Sequence, residues 1–469
     1  MNLSTLPLFA LLSLPFAAQA APVEGRLELV WGDAAPGTGL TSQFEATVVT
    51  DGGQRYRLDP QAAREAAGDL YALAGRSVAV EFATRAATPD GLQAGTIVSA
   101  DLQLARNVAQ PAVAGNTVWA TILCKFSGVA TEQKALAYFS GQYGNSPGQL
   151  DHYWREVSYN KVNLVGSNAY GWFTLPSPRS AYMTVQTDGS EKANLNKLFD
   201  DCTAAANASV NFAANGGLQG INMMFNGDLD GYAWGGQRCA TLDGINKCWS
   251  STWNPPWSFS NSAPLSHEMG HGYGLPHANN SDRDTDPYDN PWDVMSDAWS
   301  NAANDATYGR IAKHLSMYSR DRLGFVDATR KRTIDTDGTV TLDLDRASLI
   351  GSTKVQMIVV NPPGEAASHY YTIEARKRGG KYEASLAGDA VIIQEVLTSR
   401  SEPAWSVDAD ATPATTSNNE GSMFKVGETY ALAGKFSVRV NSATAEGFNV
   451  TVTRGTGTAP DPIFKNGFQ

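Results

Sequence analysis

Residues Ser266–Ala278 read SHEMGHGYGLPHA, and this stretch limits what the chain can fold into more than any other. Histidine is scarce, with six in 469 residues, yet three fall at positions 267, 271 and 277. On a helix, positions i and i+4 share a face, so His267 and His271 can offer imidazole nitrogens to one ion. Glu268 stands beside them, placed to act on a water molecule. Gly274 tolerates the left-handed conformation that stops a helix, and Pro276 cannot continue one. The chain must therefore turn, which lets His277 swing back as a third ligand. Three neutral imidazoles with one open position describe a catalytic site for one zinc ion, not a closed structural site. Histidines scattered by chance along a polar helix would not also bring the adjacent Glu and the helix-stopping Gly.

The rest of the composition sets the context. Lys plus Arg number 36 against 47 Asp plus Glu, a net charge of −11. So acidic a chain has no bulk field for phosphate backbones or anionic lipid, which argues against nucleic acid as a partner. Met1–Ala20 (MNLSTLPLFALLSLPFAAQA) has a short apolar run and a small-residue Ala-x-Ala end, so it reads as a signal peptide despite lacking a basic residue. The expected mature protein is secreted, with periplasmic passage on the way, and no later segment is apolar enough to anchor it in a membrane. Four cysteines suit disulfides in an exported chain and allow three connectivities. The preferred pairs are Cys239–Cys248, closing a short loop, and Cys124–Cys202, tying a strand to a helix.

Periodicity divides the chain into an α+β multidomain architecture. Residues 21–112 alternate in short strands (Arg26–Val30, Gln43–Val49, Ser77–Ala83, Thr96–Gln103) around a helix at Pro60–Ala67, which predicts a small β-barrel or sandwich. Residues 113–328 form a mixed α/β block. It contains an apolar strand at Val118–Cys124, a helix opened by Ser146-Pro147-Gly148-Gln149 and running to about Tyr159, and a strand at Val162–Val165. A helix at Glu191–Asn207 and a strand at Ile221–Phe225 follow. Tyr308, Ile311, Leu315 and Tyr318 make a further helical stripe. From 329 to 454 the period switches to two, predicting a β-sandwich, and 455–469 reads as a loose tail.

The motif resembles the metzincin signature H-E-x-x-H-x-x-G-x-x-H, which implies a Met-turn downstream. Asp293-Val294-Met295-Ser296-Asp297 follows, so Met295 resembles the residue that floors the three histidines. Astacin- and serralysin-like members carry a Tyr two residues after that Met; Asp297 stands there instead, and the role of that Tyr does not carry over. Within the clan the chain is most similar to the gametolysin-like group and related bacterial exported metallopeptidases. That similarity runs through Tyr153–Leu164, Gly171-Trp172, Gly231–Gly236 and Tyr318–Phe325, covering roughly Val118 to Phe325. It implies a central metzincin-like α/β zinc-protease domain with a mixed sheet, an active-site helix and a Met-turn. It also implies peptide-bond hydrolysis of protein or peptide substrates. A zinc ion held by His267, His271 and His277 would acidify water, with Glu268 as general acid/base. An edge strand binding substrate by β-augmentation is implied too, with Gly231, Tyr232, Ala233 and Trp234 as candidates against a plain Gly-rich turn.

Other features carry less. Asn226–Gly231 (NGDLDG) resembles the start of a calcium loop, but the twelfth position is Gln237, which lacks the bidentate carboxylate, so the pattern weighs against calcium. Asp282, Asp284, Asp286, Asp289 and Asp293 crowd the loop before Met295 and read as a solvated or Asx-turn network. His152, His314 and His369 lack metal-ligand spacing. The N-terminal β-domain is either a propeptide or a permanent accessory domain. It has no Cys to cap a metal, and the sequence does not choose an Asp or backbone group for that task. Two rival functions stay in view: a zinc amidohydrolase acting on a small amide, and a β-rich surface-binding protein with a vestigial protease centre. Cleavage preference and oligomeric state are not legible.

Overall fold

The structure is a computed structural model that describes residues 21–88, 91–99, 112–281, 286–410 and 419–455. The expected leader Met1–Ala20, nearly all of the expected tail, and Asp282 and Asp284 lie outside the described residues. The molecule is mixed α+β and sheet-rich, with short helices. No helix among the described residues is long and apolar enough to cross a membrane.

Five strands at the N-terminus alternate apolar and polar residues: β1 (Val23–Ala34), β2 (Gln43–Val49), β3 (Arg55–Leu58), β4 (Ser77–Thr88) and β5 (Gly91–Ser99). They pair in the order β1–β2–β3–β5–β4 and back to β1, closing a small five-stranded barrel. Closure leaves few open edges and encloses Leu27, Leu29, Val48, Leu58, Leu70 and Val78. The helix Pro60–Ala67 (α1) begins where expected, with Asp59 accepting a hydrogen bond from the Ala62 amide and Pro60 in the first turn. β3 is not foreseen from the sequence, because its four residues are too few to show a period.

The middle of the chain builds a second five-stranded layer: β6 (Trp119–Lys125), β7 (Asn168–Thr174), β8 (Gly220–Phe225), β9 (Tyr232–Leu242) and β10 (Ile245–Asn254). β7, β6, β8 and β10 run parallel and β9 antiparallel. Both faces are covered, so β6 and β8 are apolar throughout instead of alternating. Trp119 and Leu123 point to one core, Ala120, Ile122 and Cys124 to the other. Helix α2 (Leu136–Gln142) packs on the first face and α4 (Leu195–Ala206) on the second, and Cys124 of β6 bonds Cys202 of α4. Cys239 and Cys248 sit opposite each other on β9 and β10 and form the second disulfide. Both preferred pairings are therefore present. β1 of the barrel also pairs with β9, joining barrel and central layer into one sheet of ten strands.

Three local expectations fail. The helix expected to open at Ser146 spans only Leu150–Val157 (α3), because Gln149 spends its side chain on the Ser146 amide and the Gly141 carbonyl. It stops before Tyr159 and Asn160, which take positive φ. The strand expected at Val162–Val165 is a two-residue pairing, Val162–Asn163 with Gly115–Asn116. The stripe from Tyr308 to Tyr318 is no single helix: a hairpin (Ala303–Asp305, Gly309–Ile311) leads through extended chain to a short helix at Met317–Arg322. Those side chains are buried all the same, and burial on an irregular path mimicked a helical period.

After residue 329 the regular structure is almost all strand, in a six-stranded and a four-stranded sheet sharing a core of Ile358, Ile373, Ile393, Val438, Val450 and Phe436. The outermost strand of the larger sheet is Ala278–Asn280, immediately after His277, pairing with Ala404–Ser406.

Candidate metal centre

The helix Ser262–Gly272 (α6), which follows the single turn Pro256–Phe259 (α5), is buried at all eleven positions. A helix enclosed on every side can be built only from small, apolar or well-partnered residues, and SAPLSHEMGHG is such a sequence. Its end is set by Gly274 at φ 94°, with the Leu275 amide bonded back to the Gly270 carbonyl. The reversal returns the Leu275 carbonyl to accept from His271 Nδ1 at 2.7 Å. The Val294 carbonyl likewise accepts from His267 Nδ1 at 2.6 Å.

These two bonds fix both tautomers: Nδ1 carries the proton, and each Nε2 presents a lone pair. His267 Nε2 and His271 Nε2 are 3.0 Å apart, and His277 Nε2 is 3.1 Å from His271 Nε2. Lone pairs facing one another at that distance in a buried site repel unless a cation lies between them. Donors in a tetrahedral zinc site, with bonds of about 2.0–2.1 Å, stand roughly 3.3 Å apart. The three imidazoles thus fit a zinc ion, and the carbonyls behind them supply the orienting bonds such ligands need.

A fourth group, absent from the sequence-derived set, completes the cluster. Asp33 of β1 places Oδ1 2.7 Å from His277 Nε2 and 3.3 Å from His267 Nε2, and Oδ2 3.4 Å from His271 Nε2. Asp33, His267, His271 and His277 are all buried and together could hold a metal ion. Tyr288 donates a hydrogen bond to Asp33 Oδ1 at 2.8 Å. Burial opposes ionisation of Asp33, but His277 and His267 beside it outweigh burial and hold the carboxyl well below its usual range. Burial depresses His271 to about 3, so it stays a neutral, ligand-competent imidazole.

Glu268 projects from α6 toward β9, where Gly235 leaves room for it: a Cβ at Gly235 would come 2.6 Å from the Glu268 carbonyl and 2.7 Å from Oε2. Its buried Oε2 finds no donor, and the group beside it is the Asp33 carboxylate, an acceptor like itself. Burial, and then the charge of Asp33, push Glu268 well above the ordinary glutamate range. Met295 lies beneath the cluster with its sulfur against Gly270. Asp293 shapes the turn leading to it, accepting from the Met295 amide and from Ser319 Oγ, each at 2.9 Å. Asp297 pairs with the buried Lys313 at 2.9 Å. A cavity of about 550 Å³ opens beside His267 and Glu268, lined by Trp257, Pro264 and Trp299 and by the barrel residues Asp33–Ser42.

Gly231–Trp234 is no loose turn: β9 begins at Tyr232, and Ala34, Asp33 and Gly32 of β1 lie opposite Tyr232, Ala233 and Trp234. The calcium-like segment is committed elsewhere. Asn226 bonds the Phe126 amide and the Val129 and Thr131 carbonyls, and Asp230 holds Trp234 Nε1 and the Ala193 amide. Asp286 and Asp293 form Asx-turns to Tyr288 and Met295. His152 meets Tyr382, His314 lies between Glu156 and Glu383, and His369 lies between Glu365 and Glu395, all away from the cluster. One signal for Asp33 existed: an acid closing a run of buried residues (LELVWGD) on a strand has to meet a partner. Which partner, 234 positions away, no local pattern could tell. Compared with protein-family models and with curated proteins, the chain matches none.

Proposed function

We propose that the chain is a secreted zinc-dependent endopeptidase of metzincin type. The observation that carries this reading is the convergence of His267, His271 and His277 on one point, with the carboxylate of Glu268 beside it and an extended strand, Tyr232–Gly236, alongside, itself paired with Ala34–Val30. A zinc ion held by the three imidazoles would supply Lewis-acid activation of a scissile carbonyl and of water. Glu268 would take a proton from the attacking water at its carboxylate and pass it to the leaving amine nitrogen. With β1 displaced, the backbone of Tyr232–Gly236 would hold the substrate extended, and the cavity walled by Trp257 and Trp299 would receive a side chain.

A strand beside the histidines that already pairs with extended main chain favours polypeptides over a small amide, and the intact ligand and Glu268 set opposes decay to a binding protein. The test combines zinc stoichiometry by elemental analysis with digestion of a proteome-derived peptide library, using the chain intact and after proteolytic removal of its barrel. One equivalent of zinc and chelator-sensitive cleavage that disappears in Glu268→Ala are expected. Absence of zinc, no cleavage by either form, or cleavage that survives Glu268→Ala would sink the reading.

A further inference from the structure

The face of the ten-stranded sheet opposite the histidines holds a second cavity, of about 470 Å³, at the seam between barrel and central layer. Strand alternation decides which side chains reach it. Along β9, Gly235 packs against Glu268 and Gln237 bonds the His271 carbonyl, so Trp234 and Arg238 point the other way. On the barrel, Glu28, Thr47 and Arg57 stand opposite one another across β1, β2 and β3, with Val30 opposite Glu45 in the next row. The hairpin of Met183–Val185 and Glu191–Ala193 closes the far wall, and its Lys192 reaches across the seam to pair with Glu45.

This lining is charged against the trend of the molecule. Arg55, Arg57, Lys192 and Arg238 face two carboxylates, Glu28 and Glu45, an excess of two positive charges in a chain of net charge −11. Glu28 is shared. One of its oxygens pairs with Arg55; the other accepts from the Cys239 amide at 2.8 Å and lies 3.9 Å from Arg238 Nη1. Arg238 also meets Asp200 at 3.3 Å, but that carboxylate is exposed. Arg57 has no acidic partner among the described residues, and Arg55 Nη1 and Arg238 Nε are buried without an acceptor. Two guanidiniums leaning on one carboxylate, with donors left over, form a set that an anion would complete. Val30, Leu195, Trp234 and Trp253 give the same cavity an apolar side.

We propose that the seam cavity binds a small organic dianion, a dicarboxylate whose acid groups meet the arginines and Lys192 and whose short carbon spacer lies on the apolar side. Its volume falls in the range of small-molecule sites. Two carboxylates match the excess of two charges, whereas an inorganic anion would leave the apolar side uncovered. Arg55 and Arg57 belong to the barrel, Lys192 and Arg238 to the central layer, so the ligand ties the two together. The competing explanation, ion pairs that only cement the seam, accounts for Arg55 and Lys192 but gives Arg57 no task. The site does not involve the metal and stands apart from the endopeptidase reading.

Glutarate is the probe, titrated by calorimetry into the intact chain at low salt, with inorganic phosphate and the uncharged glutaramide as comparisons. It should bind one to one, raise the unfolding midpoint and weaken as salt is added. Zinc and a saturating small aryl hydroxamate at the three histidines should leave its affinity unchanged. Arg57→Gln, which has no ion pair to lose, and Lys192→Gln should each weaken binding about tenfold or more. Glutaramide should not bind. No binding of glutarate at millimolar concentration, equal affinity in Arg57→Gln, displacement by the hydroxamate, or phosphate binding as tightly as glutarate overturns the proposal. Should Lys192→Gln misfold, Arg57→Gln decides.

Discussion

The sulfur of Met295 occupies the space that a β-carbon on Gly270 would need. The one-atom side chain at 270 is what lets α6 settle onto the methionine and keeps His267 and His271 at their present height. Gly270→Ala is therefore expected to destabilise the protein, overpacking outweighing the roughly 1 kcal/mol that alanine gains over glycine inside a helix. Met295→Leu, which nearly conserves volume, should cost less than about 1.5 kcal/mol. Thermal denaturation with and without zinc distinguishes them: the alanine variant should show both a lower midpoint and a smaller zinc-dependent rise.

Gly235 plays the same part for Glu268. Alanine there would push against the glutamate's own carbonyl and its Oε2, turning the carboxylate away from its working position. A displacement of about 1 Å at a reacting group can cost around 10²-fold in rate. In the barrel-freed form, Gly235→Ala should lower kcat by about that factor with zinc content unchanged. Stopped-flow measurement on a fluorogenic peptide checks it, and a variant as fast as the parent would contradict the geometry.

The two disulfides should not be worth the same. Cys124–Cys202 spans 78 positions and staples β6 to α4, whereas Cys239–Cys248 spans 9 across one hairpin. Loop-entropy reasoning puts removal of a native bridge at about 2–5 kcal/mol, the longer loop toward the upper end. Urea titration of the two double-serine variants should rank Cys124/Cys202 as the more damaging.

Acid should loosen the contact between the central layer and the C-terminal sheets. Glu383 is fully buried; burial alone would raise its carboxyl, but the charges of Arg376 and His314 prevail and hold it below the glutamate range. A depressed carboxylate stabilises the folded state above the unfolded pKa, about 4.3, and that contribution fades as pH falls through the lower folded value. The melting temperature should fall in that acidic window. Glu383→Gln should flatten the fall while lowering stability at neutral pH, because Arg376 then loses a buried anion.

What the sequence disclosed follows from where the signals lie. His267, His271 and His277 sit within one helix and its turn, so spacing alone placed them, and Met295 came with the resemblance built on that spacing. Strands β2 and β4 showed because one face is wetter than the other. Asp33 stayed hidden because its meaning depends on β1 pairing with β9, a contact between distant segments that no local pattern specifies. The Tyr308–Tyr318 stripe misled for a related reason: when nearly every residue is buried, hydrophobic spacing no longer reports backbone geometry. Gln149 misled through competition, its amide serving the preceding turn before it could cap a helix.

The shared ten-stranded sheet has a consequence for how the molecule melts. β1 is hydrogen-bonded to the barrel along one stretch and to β9 along another, so neither unit can open without stripping partners from a strand the other depends on. Barrel and central layer should therefore come apart in one cooperative step.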